Sequence, residues 1–154
     1  MNYAKKVNEF LISWTQGVID IGRVYKAEGD YKKTALAFIE SHYAFDRGDV
    51  LFKPTFTKEI IFRNSIEQAL SYFVGGMVAE DNGFALRTWE KIDLIQVSTI
   101  ESIGAAMGLF NFNISLIPLG DKLKLSSITF LTFSTFVSSP LANLTKIDKG
   151  LDTP

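Results

Sequence analysis

His42 is the only histidine in this 154-residue chain. Its side chain alone has an ordinary pKa near neutrality, which makes it the default general acid or base. It needs an orienting carboxylate, and Asp46, Asp49, Glu80 and Asp81 are candidates; His42 with Asp81 is the expected proton-transfer pair. The plainer account is a capping or surface histidine at the end of a helix. Arg63 follows three apolar residues and precedes Asn64. Its planar guanidinium suits bidentate clamping of a carboxylate or phosphate, and pairing with Glu59 or Glu67 accounts for it equally well. Lys53, between Phe52 and Pro54, reads more simply as a snorkelling surface lysine. Glu80 and Asp81 are adjacent, and neighbours on an extended chain point to opposite faces, which argues against an acid/base pair.

Composition removes several chemistries. Without cysteine there is no disulfide, thiolate nucleophile or thiolate metal site. With one histidine there is no multi-histidine metal centre or two-histidine relay within the chain, so no transition-metal site and no cofactor are expected; an oxygen-only cation site stays open. Sixteen Lys and Arg against seventeen Asp and Glu leave a formal charge of −1, no footprint for nucleic acid or an anionic membrane. Gly75-Gly76 reads as a helix stop and fits no phosphate-cradling pattern.

The elements that must position these groups fall into two halves. Val7, Phe10, Leu11, Trp14, Val18, Ile21 and Tyr25 recur every three or four residues and predict a first amphipathic helix. Gly29 ends it, and Asp30 can cap a second helix with Ala35, Leu36, Ile39 and Tyr43 on one side. Residues 50–52 and 59–63 read as short extended runs. Ser65-Ile66-Glu67-Gln68 has capping-box spacing and opens a third helix, with Ile66, Ala69, Leu70, Phe73 and Val74 as its buried face. Beyond Asn82-Gly83 the chain reads as sheet: Phe110, Phe112, Ile114 and Leu116 alternate with polar residues. Pro118-Leu119-Gly120-Asp121 signals a turn, and a phase reversal at Ser126-Ser127 a bulge. Helices first and antiparallel strands afterwards predict an α+β architecture with helices on one face of the sheet.

Residues 125–145 carry no charge, which by length alone would fit a bilayer span. Eight of residues 125–139 are Ser or Thr, interleaved with β-branched and aromatic side chains, so the stretch reads as strand. The N-terminus has no uninterrupted apolar run and hence no signal peptide, from which a cytoplasmic location is expected. Residues 1–140 are taken as one domain and 141–154 as a tail or an atypical last strand.

Val50-Leu51-Phe52-Lys53-Pro54-Thr55, Phe62-Arg63, Ala69-Leu70-Ser71-Tyr72-Phe73-Val74-Gly75-Gly76, Asp81-Asn82-Gly83-Phe84-Ala85, Trp89 and Ala106-Met107-Gly108 occur in that order. Together they resemble an uncharacterised bacterial family of the nuclear-transport-factor-2-like (SnoaL-like, cystatin-like) superfamily, akin to the association domain of calcium/calmodulin-dependent protein kinase II. The resemblance implies a cone of curved antiparallel sheet wrapped around helices, dimeric through the outer face of the sheet. The hollow of the cone serves isomerases, dehydratases and cyclases in some relatives, and assembly alone in others. One departure stands out: that family's pattern ends in two histidines, two serines and a proline, whereas Phe136-Val137-Ser138-Ser139-Pro140 has no histidine.

The resulting expectation is a hollow of roughly 300 Å³ or more binding a small, mostly apolar molecule, with weak isomerase, dehydratase or cyclase activity an open question. Trp14, Tyr43, Phe52, Arg63, Tyr72, Trp89, Met107 and Phe110 are its candidate lining, against ordinary core packing for each aromatic. The alternative is a non-catalytic homo-oligomerisation module pairing through the sheet. It is motivated by the apolar, charge-free stretch between Ile128 and Val137.

Overall fold

The computed structural model describes residues 3–48, 50, 52–100, 105–114 and 128–130. Helix α1 (Tyr3–Lys26) buries Val7, Leu11, Val18 and Ile21. This is the periodic stripe expected, except that it stops short of Tyr25, which is exposed. Thr15 is also buried, and its hydroxyl is satisfied by donating to the Ile12 carbonyl at 2.7 Å. Helix α2 (Tyr31–His42) starts at Asp30, whose carboxylate accepts from the Lys33 N–H at 3.0 Å. It buries Ala35, Phe38 and Ile39, so Phe38 takes the inward position expected of Leu36. The two helices cross where α1 has no side chain, since a Cβ at Gly17 would overlap the Phe38 ring.

Helix α3 (Ile66–Val74) has the predicted cap. The Ser65 hydroxyl accepts from the Gln68 N–H at 3.2 Å, and the Gln68 side chain reaches back to the Asn64 N–H at 2.8 Å. Gly75 closes it at φ 76°, a left-handed conformation that costs glycine little.

Residues 59–63 depart from the expected extended run. An isolated antiparallel bridge joins Phe52 to Arg63, and Ile60, Ile61 and Phe62 are exposed. The physical reason is a competing acceptor: the Glu80 carboxylate takes the backbone N–H groups of Lys58, Glu59 and Ile60 that a strand would spend on its neighbour.

After a 3-10 turn (Ala85–Arg87), strands β1 (Trp89–Ile100), β2 (Ala105–Ile114) and β3 (Ile128–Phe130) form an antiparallel sheet in the order β1-β2-β3. Phe110 and Phe112 point into the core, as their alternation requires. Register shifts interrupt β1 between Trp89 and Lys91 and between Leu94 and Gln96. Helix α1 packs against α2 and β1, and α2 against α3. The architecture is therefore α+β, with the helices and the inner face of the sheet sharing one aromatic-rich core. No helix among the described residues is long and apolar enough to cross a membrane. The expected turn at residues 118–121, the bulge at 126–127 and the tail at 141–154 lie outside the described residues.

Candidate functional site

A pocket of about 520 Å³ opens between the 55–58 segment, α3, the 80–82 loop and the 3-10 turn. Tyr72 and Phe84 form its inner wall, their rings stacked with centroids 5.3 Å apart. Thr55, Phe56, Thr57 and Lys58 form one side, and Glu80, Asp81, Asn82 and Arg87 complete the rim. The backbone locks these pieces together: the Phe84 N–H donates to the Tyr72 carbonyl at 2.8 Å, and the Val78 N–H to the Ser71 hydroxyl at 2.8 Å.

Beneath the rim lies a buried ionic cluster. Arg63 is 0 % exposed. Its Nε and Nη2 donate to the two oxygens of Asp81 at 3.3 and 2.7 Å, Nη2 also to Glu80 at 3.3 Å, and Nη1 to the Ile60 carbonyl. Burial opposes the charge on Arg63, but Asp81 and Glu80 outweigh it and hold its pKa above the ordinary arginine value. Glu80 is drawn down to about 2, first by the N–H groups of Ile60 and Lys58, then, against the opposing effect of burial, by the Glu59 N–H and Arg63. Arg63 thus clamps carboxylates, as its chemistry suggested, but they are the protein's own Asp81 and Glu80 rather than Glu59, Glu67 or a ligand.

A depressed carboxylate pKa stabilises the fold above the unfolded-state value, and that contribution is lost as pH falls through the folded-state value. For Glu80 the window runs from about 4.5 down to about 2. Urea midpoints at pH 6 and pH 3 are expected to differ less in Glu80→Gln than in the unmodified chain. Equal differences in both would show that Glu80 carries none of the acid sensitivity.

Burial raises the Tyr72 phenol far above its ordinary range, with hydrogen bonds to the backbone of Phe56 and Thr55, the field of Arg87 and the Thr55 side chain pulling the other way. Tyr72 is therefore a neutral hydroxyl at the inner wall, next to the hydroxyl of Thr55.

Of the expected site residues, Tyr72 and Asp81 line this pocket, and Arg63 sits behind it. Asp81 is engaged by Arg63 rather than by His42, because a buried carboxylate is stabilised by the nearest permanent cation. His42 ends α2, its ring between Phe10 and Phe38 and its nitrogens 3.1 Å from the Ser13 hydroxyl and 2.8 Å from that of Ser41. Trp14, Tyr43, Phe52, Trp89 and Phe110 belong to the core cluster. Within it the Trp14 indole donates to the Tyr43 hydroxyl at 3.0 Å, and the Trp89 indole to the Phe84 carbonyl at 2.9 Å. Met107 pairs with Ser98 in the sheet; its side chain lies outside the described part of the molecule. Thr55 and Arg87 were not singled out from the sequence. The signal available was the two hydroxyl or cationic side chains beside Lys53-Pro54 and ahead of Trp89, where motif residues already cluster.

Residues 5–116 match the model of the metal-independent carbonic anhydrase family. The chain belongs to that family. A metal-independent carbonic anhydrase from Nostoc sp. is 39% identical over 87 residues, 53% of this chain and 42% of that relative. The chain thus spans under half the length of this curated relative. A cyanobacterial iota-carbonic anhydrase, solved as a complex with bicarbonate, superposes with a TM-score of 0.62 at 32% identity over 75% of each chain. The family match corrects the resemblance drawn from the sequence to the nuclear-transport-factor-2-like, SnoaL-like superfamily. It also overturns both functions inferred from that resemblance, the small-apolar-ligand protein and the non-catalytic assembly module. Some of the motif residues behind it are cap, turn and core positions of α3 and the 80–85 loop, and others, Thr55, Tyr72 and Asp81, line the pocket. Residues shared with a scaffold do not name a reaction.

Proposed function

We propose that this chain is a metal-independent carbonic anhydrase, interconverting carbon dioxide and bicarbonate in the pocket between Thr55, Tyr72 and Arg87. The observation that carries the reading is the family match over residues 5–116. The chain's own residues agree with it. Three imidazoles on zinc are one established way to make hydroxide at neutral pH, and a chain with one histidine and no cysteine cannot assemble them by itself.

The work then falls to hydrogen bonding and electrostatics. Phe84 and Phe56 offer an apolar wall to carbon dioxide. The Tyr72 and Thr55 hydroxyls orient a water oxygen toward the carbon. As the carbon–oxygen bond forms, one π pair of carbon dioxide moves onto oxygen and a proton passes from the attacking water to solvent. Donors fixed where that negative charge develops lower the barrier without reorganising. Glu80, with its pKa near 2, is too weak a base to take this proton at neutral pH.

Two further features belong to the proposal. The register shifts in β1 support a sheet that bends around the helices as a cone. Exposed Ile95 and Ile100 on β1 favour a homodimer that pairs through the sheet.

Stopped-flow carbon dioxide hydration by the full chain after exhaustive chelation is the direct test. Hydration well above the buffer rate, unchanged by added zinc, is expected. A rate equal to buffer alone, or one that appears only with added metal, would overturn the proposal.

A further inference from the structure

Four charged residues line the pocket, two acids and two bases, Glu80, Asp81, Lys58 and Arg87. Their formal charges cancel, but their availability does not. Asp81 spends both oxygens on Arg63. Glu80 spends its oxygens on three backbone N–H groups and Arg63. With Arg63 counted beneath them, three cations stand against two carboxylates, and both carboxylates are turned to Arg63, so the charge the pocket presents to a ligand is positive.

Arg87 is the better placed of the two cations. Its guanidinium carbon lies 4.6 Å from the centroid of the Phe56 ring. Among the described residues no carboxylate forms an ion pair with it. A guanidinium held over a ring face keeps N–H groups for a planar oxyanion, which it can bind through two parallel bonds. Its field also reaches the Tyr72 phenol.

The backbone that carries Arg87 is held with unusual tightness. Thr88, a β-branched residue, sits in the left-handed region at φ 58°, a conformation that persists only where its surroundings enforce it. Helix α1 supplies the enforcement, because a Cβ at Gly22 would lie 2.9 Å from the Ala85 carbonyl oxygen and 3.2 Å from the Thr88 Cα. The 3-10 turn is thus pressed against α1 and projects Arg87 over the pocket.

We infer that Arg87 is the anion anchor of this pocket, binding the carboxylate edge of bicarbonate through its N–H groups while offering neutral carbon dioxide no comparable contact. The inference rests on the carbonic anhydrase reading, and it makes Arg87 the residue that distinguishes the charged partner of the reaction from the uncharged one. The transition state shares the developing negative charge, so it gains the same contact as bicarbonate does.

That fixes a kinetic signature. In Arg87→Gln the KM for bicarbonate dehydration should rise about tenfold with kcat nearly unchanged. For hydration, kcat should fall about tenfold with the KM for carbon dioxide unchanged, so the two ratios of kcat to KM fall together, as the fixed overall equilibrium demands. Arg87→Lys keeps a point charge but loses the fork and the stacking, and should fall between the two. Phe56→Leu keeps the charge and removes the stacking face, and should weaken bicarbonate binding by a smaller factor; it serves if Arg87→Gln does not fold. Equilibrium titration with bicarbonate and with nitrate, a planar monoanion that cannot react, separates anchor from reaction. Loss of about tenfold in affinity for both anions in Arg87→Gln supports the anchor, even where the unmodified chain shows no hydration and the carbonic anhydrase reading fails. Unchanged anion affinity in Arg87→Gln, or a hydrating enzyme whose bicarbonate KM does not move, overturns it.

Discussion

Asp81→Ala is expected to lower stability by about 3–5 kcal/mol. The cost comes from what remains rather than from what is removed. Arg63 and Asp81 are both 0 % exposed at the side chain, so removing the carboxylate leaves a buried guanidinium with only the edge carboxylate of Glu80 and the Ile60 carbonyl as partners. A domain of this size has about 5–15 kcal/mol to lose, so the variant should approach the threshold of folding at 37 °C. Chemical denaturation read by intrinsic fluorescence measures the change. Replacing Arg63 and Asp81 together by Met and Leu should recover much of it, because two apolar groups carry no desolvation penalty. A double variant no more stable than Asp81→Ala would show that the hydrogen-bonding geometry, rather than the uncompensated charge, is what matters. The cluster has a second consequence for the site. Through Ile60 and Glu80 it anchors the 58–60 backbone, which continues the pocket wall, so a stability defect here should be accompanied by weaker bicarbonate binding.

The second large effect is on rate. Tyr72→Phe should reduce carbon dioxide hydration by about 100-fold while costing only about 1 kcal/mol of stability. The ring stays in its stack with Phe84 and its contacts with Phe52 and Phe73, and only the hydroxyl beside Thr55 is lost. Burial keeps that phenol neutral, so it acts as a fixed donor across the whole physiological range, and its loss should lower the rate by the same factor at pH 7 and pH 9. Stopped-flow hydration at the two pH values, with a thermal melt of the same sample, gives both numbers. A rate within threefold of the unmodified chain would remove Tyr72 from the reacting centre.

What could be read from the chain alone was whatever depends on near neighbours along it. The α1 stripe from Val7 to Ile21, the Asp30 and Ser65 caps, the glycine stop at Gly75 and the inward alternation of Phe110 and Phe112 are set by helical and strand periodicity and by hydrogen bonds spanning three or four residues. The exclusion of a three-histidine zinc centre came from counting alone. The order of helices before strands gave the α+β class, while the motif residues misdirected the function, since a scaffold is shared across chemistries.

Tertiary structure decided everything that joins distant segments. Arg63 met Asp81 eighteen positions away instead of Glu59 or Glu67 nearby, because a desolvated guanidinium seeks the carboxylate that is buried with it. Glu80 crossed twenty residues to take the Ile60 N–H and so turned an expected strand into a loop. Arg87, inconspicuous in sequence, acquired its place from the approach of Gly22 to Ala85 and Thr88. Periodicity can orient a side chain relative to its own helix or strand, but which charges share a low-dielectric interior, and which remain free to meet a ligand, is set only when the elements pack.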